Sequence, residues 1–288
     1  MIISSIARLR DPFVLLHDGY YYVFGTGWVA YRGKTLDGEF ESLGRVVTEI
    51  PDDDGECEWA PEVHYHDGKF YMFTTYKSKI TRKRGCTIFC ADKPEGPYKP
   101  HSDGFFTPKE WDSIDATFYV DENGDPWSVF VHEWTSTDDG IGRMCSVRLT
   151  DDLRSAIGEP KELFRADDPS WTNSRVTDGC FMHRCENGEL LMIWSNFCDK
   201  GYCVGIARSD NGKPDGNFSQ DDKLLFTRDD SIRLGGGNCD GGHGMLFRDK
   251  NGELWLSIHS PNDRVKREET PVFIRVNEHD GELTLAGE

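Results

Sequence analysis

Three aspartates, Asp11, Asp115 and Asp178, together with Glu62 and His243, each stand at or near the start of a short apolar run that ends at a glycine turn. Carboxyls gathered in one site suit general acid/base work. Like charges push their pKa values apart, so one group can give a proton while another takes one. That division suits a neutral substrate and requires no cofactor. A lone aspartate at such a point would cap a loop or pair with an arginine such as Arg10 or Arg175. Three in register with a histidine point instead to a shared cavity, with Arg175 among the substrate contacts. A further acid, Glu133 in "FVHEWTS", adjoins Trp134, whose ring would desolvate a carboxyl and raise its pKa.

A repeat must position these residues. One pattern recurs five times: "DPFVLLHDGYYYVFGTG" from Asp11, "APEVHYHDGKFYMFTTY" from Ala60, "DATFYVDENGDPWSVFVHEW" from Asp115, "DGCFMHRCENGELLMIWSN" from Asp178 and "GHGMLFRDKNGELWLSIHS" from Gly242. The turn glycines are Gly19, Gly68, Gly124, Gly188 and Gly252. Asp-Gly and Asn-Gly favour type I′ turns, which need positive φ at both central positions, so each copy predicts a β-hairpin. Further strand-like runs fill each period, as in "CTIFCAD", "RMCSVRLT" and "YCVGIARS", and no helical periodicity is sustained. Four strands per period of roughly 50 to 65 residues mark a propeller blade. The expectation is all-β: one five-bladed β-propeller over residues 1–288, closed by a strand from 271–285 or from the opening "MIISSIARL". In a propeller the first strand of each blade lines the axis, which would bring Asp11, Glu62, Asp115, Asp178 and His243 to one end of the channel. Antiparallel pairing would return Glu133 to that same end.

Aromatic rings at that rim, Trp28, Trp59 and Trp134 above all, with Trp111 and Trp171, could stack on the apolar faces of sugars. Trp127, Trp194 and Trp255 lie within hairpin strands and read as fillers between blades. Thirty-three basic against 51 acidic residues, a net charge of −18, argue against nucleic acid or an anionic membrane as partner. The basic run "KSKITRKR" reads as a solvated loop. Nine scattered cysteines without paired zinc-site spacing read as reduced thiols. No stretch approaches the ~20 apolar residues of a membrane span. The opening residues lack the apolar core of a secretory signal, so a cytoplasmic protein is expected if the chain begins at its native start.

These motifs resemble glycoside hydrolase family 43, five-bladed propellers that cleave arabinose- and xylose-containing polysaccharides such as hemicellulose. The resemblance runs from "RLRDPF" to "GGHGMLFRDKNGELWLSIHS". It implies that Asp11, in Arg-Asp-Pro, is the general base and that Asp115, in "SIDATF", raises the pKa of the acid and positions it. "WAPEV", from Trp59, is similar to a family motif beside the sugar pocket. His243 matches an axial histidine that in some members holds calcium or water, and the reaction is implied to invert configuration. Blade four departs from the pattern, with Asp178-Gly179-Cys180 where the family has Glu-Gly-Pro. Asp178 is then the expected general acid, one methylene shorter, with Glu133 an alternative acid or a substrate ligand. The reading is an exo-acting α-L-arabinofuranosidase or β-xylosidase acting on oligosaccharides. The competing readings are a fructosidase or mannoside phosphorylase of the same shape, disfavoured by Arg10 where a fructosidase has Asn, and a non-catalytic carbohydrate-binding propeller.

Overall fold

After a two-residue strand β1 (Ile2–Ile3), runs rich in β-branched and aromatic residues pair as the repeat requires. The first blade is β2 (Phe13–His17), β3 (Tyr20–Gly25), β4 (Val29–Gly33) and β5 (Phe40–Arg45), hydrogen-bonded in that order. The second is β6 (Trp59–His66), β7 (Lys69–Lys77), β8 (Arg84–Ala91) and β9 (Lys99–Pro100). The third is β10 (Ser113–Val120), β11 (Pro126–His132), β12 (Arg143–Leu149) and β13 (Ala156–Arg165). The fourth is β14 (Asp178–Arg184), β15 (Leu190–Cys198), β16 (Gly201–Ser209) and β17 (Phe218–Gln220), followed by the six-residue helix α1 (Arg228–Arg233). The fifth is β18 (Gly242–Arg248), β19 (Leu254–Ser260), β20 (Thr270–His279) and β21 (Glu282–Leu285). The computed structural model describes residues 1–50, 56–263 and 265–287. Among them, no helix is long and apolar enough to cross a membrane.

The inner strands β2, β6, β10, β14 and β18 each contact the next, and β18 returns to β2, closing a five-bladed ring. Both candidate closing segments are used. Ile2 and Ile3 of β1 pair with Phe273 and Val272 at one end of the outer edge of β20, and β21 pairs with Val276–His279 at the other. The core lies between blades, where the apolar faces of neighbouring sheets meet. Phe73 of blade two stacks on Phe118 of blade three at 5.0 Å between centroids, and Trp194 packs on Phe164.

The structure departs from the sequence expectations in its turns and in three of its tryptophans. Only the first two hairpins have type I′ turns, with positive φ at Asp18 and Gly19 and at Asp67 and Gly68. In the other three only Gly124, Gly188 and Gly252 are left-handed, and each donates its N–H three residues back, to Asp121, Cys185 and Asp249. Their loops carry one more residue, which favours a type I turn closed by a left-handed glycine. Trp28 is not at the rim. Its φ of +51° turns the ring inward, where it is fully buried against Phe89 and Tyr76 and donates Nε1–H to Thr74 Oγ1 at 2.7 Å. Trp194 fills a gap between blades, whereas Trp127 and Trp255 latch their own hairpin turns through Asp121 and Asp249. All nine cysteines are free thiols. The "KSKITRKR" loop carries its charge into pairs, Lys77 with Glu56 and Lys83 with Asp112.

Candidate active site

Every inner strand begins with the same backbone device. One residue near each start is left-handed: Asp11 (φ +54°), Ala60 (+45°), Asp115 (+56°), Gly179 (+49°) and His243 (+51°). In blades two to five the pairing register skips at that point, as between Ile114 and Thr117 or Asp178 and Phe181, which is a β-bulge re-aiming the side chain. Such a backbone costs about 1–3 kcal/mol at a non-glycine residue, a strain that collects at functional sites. The device corrects the alignment of the five copies. Asp11, Asp115 and His243 are equivalent. The blade-two equivalent is Ala60 rather than Glu62, and in blade four it is Gly179, with Asp178 one residue earlier. Only glycine fits at 179, because a Cβ there would lie 2.7 Å from His243 Cα.

The three aspartates converge on His243. Its Nδ1 lies 3.2 Å from Asp11 Oδ1, 3.8 Å from Asp115 Oδ2 and 3.9 Å from Asp178 Oδ1. The base and acid expected from sequence are therefore no more than about 7 Å apart at these oxygens, at or below the lower end of the roughly 6.5–9.5 Å window of an inverting pair. Each of the three residues is less than a tenth exposed: 8% for Asp11, 6% for Asp115 and 7% for Asp178.

Their surroundings set different charge states. Burial would raise the pKa of Asp11, but His243, Arg10 and the Thr26 hydroxyl bonded to Oδ2 hold it far below the usual carboxylate range. Asp11 is thus ionised. His259 is wholly buried and accepts the Asp11 N–H on Nδ1 at 3.3 Å, which places its own proton on Nε2, facing Asn262 Oδ1. Burial and the nearby Arg10 lower its pKa to about 3, so it is neutral. Arg10 is anchored by Glu269 at 2.8 Å and Asn262 at 3.0 Å. Asp115 and Asp178 form a coupled pair that retains a proton. Burial and the neighbouring Asp178 charge push Asp115 well above its ordinary value. Burial acts the same way on Asp178, but the Asp115 proton, His243 and the Tyr202 hydroxyl, which donates to Oδ2 at 2.7 Å, hold it down. The Gly179 N–H donates to Asp115 Oδ2 at 3.1 Å. One ionised carboxylate therefore faces a carboxyl pair that holds a proton.

Along nearly the whole length of the chain, residues 5–276, the sequence matches the model of glycosyl hydrolases family 43. The chain belongs to this family. Its fold overlays an endo-arabinase from Bacteroides thetaiotaomicron VPI-5482 with a TM-score of 0.85 and 33% identity, covering 98% of this chain and 99% of that one. Among curated relatives it is 25% identical over 170 residues to a probable arabinan endo-1,5-alpha-L-arabinosidase B of Aspergillus fumigatus. It is 26% identical over 171 residues to xylosidase/arabinosidase 43A of Humicola insolens. The chain spans only 43% and 50% of the lengths of these two relatives.

Around the acids of this family 43 hydrolase lies a rim that its sequence revealed in part. Glu133 follows β11 and donates its N–H to the carbonyl of Asp112, just before Ser113 opens β10, so it does return to the axial end. It is buried and bound by Arg84 Nε at 2.6 Å. Burial raises its pKa, the Arg84 charge opposes this, and Asp178 is close enough to add to the rise. Trp59 and Trp134 are both half-buried, and the Arg84 guanidinium lies 5.9 Å from the centre of the Trp59 ring. Trp111 is stacked on His132 and Trp171 is packed on Trp194, so both rings serve the blades. Glu62 is buried and bonded to His64 at 3.1 Å, outside the three-aspartate cluster. Arg175 is exposed and makes no ion pair among the described residues.

Four residues of the hydrolase escaped sequence reading: Tyr202, His259, Thr26 and Arg84. His259 pairs with Gly242 across β18 and β19, the same second-strand return that singled out Glu133, and could have been found that way. Calcium at the axis would draw on Asp115, Asp178 and His243, whose donor atoms lie within 4.8 Å of one another. That supplies three ligands, one of them nitrogen, where calcium takes 6–8 oxygens. Water oxygens would have to complete the shell of a calcium ion held there.

Proposed function

We propose that this family 43 hydrolase cleaves α-L-arabinofuranosyl or β-xylosyl bonds at the ends of oligosaccharides, with inversion. The observation that carries the reading is the convergence of ionised Asp11 and the proton-holding Asp115–Asp178 pair on His243. Asp11 takes a proton from water as the water oxygen bonds to the anomeric carbon. The glycosidic bond breaks as its oxygen takes the pair's proton through Asp178, and solvent then resets both groups. Asp115 keeps the proton available, His259 and Arg10 hold Asp11, and Tyr202 aims Asp178. Glu133 binds substrate beside Trp59 and Trp134, or supplies the proton itself. The near-complete burial of all three aspartates favours an end-cutting site that admits one sugar.

A second reading, internal cleavage of 1,5-linked arabinan, is favoured by the likeness to the Bacteroides endo-arabinase. Product analysis on linear arabinan separates the two. Monosaccharide from the first time points, with turnover of p-nitrophenyl α-L-arabinofuranoside or β-xyloside, supports end-cutting. A ladder of oligosaccharides with no aryl glycoside turnover supports internal cleavage. Proton NMR of the first-formed anomer tests inversion, and retained configuration would remove Asp11 as a base acting on water.

A further inference from the structure

Far from the axial site, a thiol, an imidazole and a carboxylate meet where blades four and five join. Asp178 opens β14 and His183 nearly ends it, so roughly 16 Å of strand separates the two places. Cys185 follows at the start of the turn into β15, and Glu278 reaches across from β20, opposite Leu283 of β21. One donor atom from each of His183, Cys185 and Glu278 lies within 4.8 Å of the other two. His183 Nε2 is 2.9 Å from Glu278 Oε2, and the Glu186 N–H fixes Oε1. Arg248 touches Oε2 at 3.4 Å but sits closer to Glu186, at 3.1 Å. Cys185 is buried, and the Glu278 and His183 side chains are 4% and 11% exposed.

An apolar residue at each position would seal this junction at less cost than burying an imidazole bonded to a carboxylate beside a thiol. The donors present are instead those that zinc selects: thiolate, imidazole and carboxylate. We propose that His183, Cys185 and Glu278 bind one Zn2+ or a similar borderline divalent cation, with water as fourth ligand. Zinc bonds of about 2.0–2.3 Å place tetrahedral donors roughly 3.3–3.8 Å apart, so the His183–Glu278 contact opens by less than about 1 Å. Binding displaces the thiol proton to solvent. The thiolate and carboxylate then balance the ion's two charges, so the buried site becomes neutral. The metal ties the blade-four turn to the β20–β21 hairpin that helps close the ring, a structural role separate from hydrolysis.

Titrating the chelator-stripped full-length protein with Co2+ tests this. A thiolate-to-cobalt charge-transfer band should grow to saturation at one equivalent and be displaced by Zn2+. It should vanish in Cys185→Ser, which keeps a small buried side chain, and in His183→Gln the metal should bind at least tenfold more weakly. Zn2+ at a hundredfold excess over its Kd should raise Tm by about 5 °C in the parent and not in Cys185→Ser. The axial aspartates contain no thiol and cannot give this band. No band, a band that survives in Cys185→Ser, or equal Tm shifts in both proteins would overturn the site.

Discussion

Replacing Tyr202 with phenylalanine removes one oxygen from the active site and leaves the ring that stacks near His259 in place. That oxygen donates to Asp178 Oδ2 at 2.7 Å in a buried setting. A hydrogen bond to a charged group is worth about 1.5–3 kcal/mol, equivalent to roughly one to two pH units on the titration of its acceptor. The sign follows from which form the bond favours. Tyr202 stabilises ionised Asp178, so its loss makes the Asp115–Asp178 pair hold its proton to higher pH. The basic limb of the pH profile of kcat/KM, which reports the free enzyme, should therefore move up by about one to two pH units. Tyr98→Phe is the control, because its hydroxyl bonds the carbonyl of Pro94, away from the axis, and its limb should stay in place. A basic limb that stays put in Tyr202→Phe, or moves down, would refute the shared-proton reasoning.

Other outcomes follow from the same geometry. Gly179→Ala forces a Cβ against His243 at positive φ, so urea unfolding should show a loss of about 2–5 kcal/mol; a change below 0.5 kcal/mol, roughly a surface substitution, would mean the approach is not close. Trp28→Phe should cost about 2–4 kcal/mol of stability yet leave KM within roughly twofold, whereas a tenfold rise in KM would return Trp28 to the sugar site. Because the folded pKa of Asp11 is depressed, its contribution to stability is present above the unfolded value near 4 and fades as pH falls toward the folded one; denaturation of Asp11→Asn should show a flatter loss below about pH 4. Asp115 is shifted the other way, so Asp115→Asn should lose activity while gaining stability at neutral pH, seen as a higher Tm at pH 7 than at pH 3 relative to the parent.

The hairpins and the ring were legible because apolar runs and turn glycines are local signals, and a period with four strands admits few closed forms. What stayed hidden depends on pairing across the sheet or on backbone φ. Asn123, Asn187 and Asn251 precede their turn glycines as the aspartates of the first two copies do, yet one extra loop residue changes the turn type. Nothing in "WAPEV" says that Ala60, not Glu62, takes the left-handed position, nor does Trp28 advertise the positive φ that buries it. Asp11, Asp115 and His243 were found because each carries its chemistry at the strand start. Tyr202 and His259 sit on the third and second strands of their blades and reach the aspartates only once register is fixed. Arg84, in the basic run read as a solvated loop, instead opens β8 and pairs with Glu133 of the neighbouring blade.

The central claim of the proposed mechanism is that Asp178 delivers the proton, although its side chain is one methylene shorter than the glutamate that the resemblance leads one to expect. Misplacement of about 1 Å can cost about 10²-fold in rate, so the deciding comparison is between substrates rather than absolute activities. Asp178→Asn and Glu133→Gln should each be assayed on aryl arabinofuranosides or xylosides with good and poor leaving groups. The account predicts that Asp178→Asn loses far more activity on the poor leaving group than on the good one, while Glu133→Gln loses similar amounts on both. Equal losses in Asp178→Asn, with the leaving-group dependence appearing in Glu133→Gln instead, would contradict it.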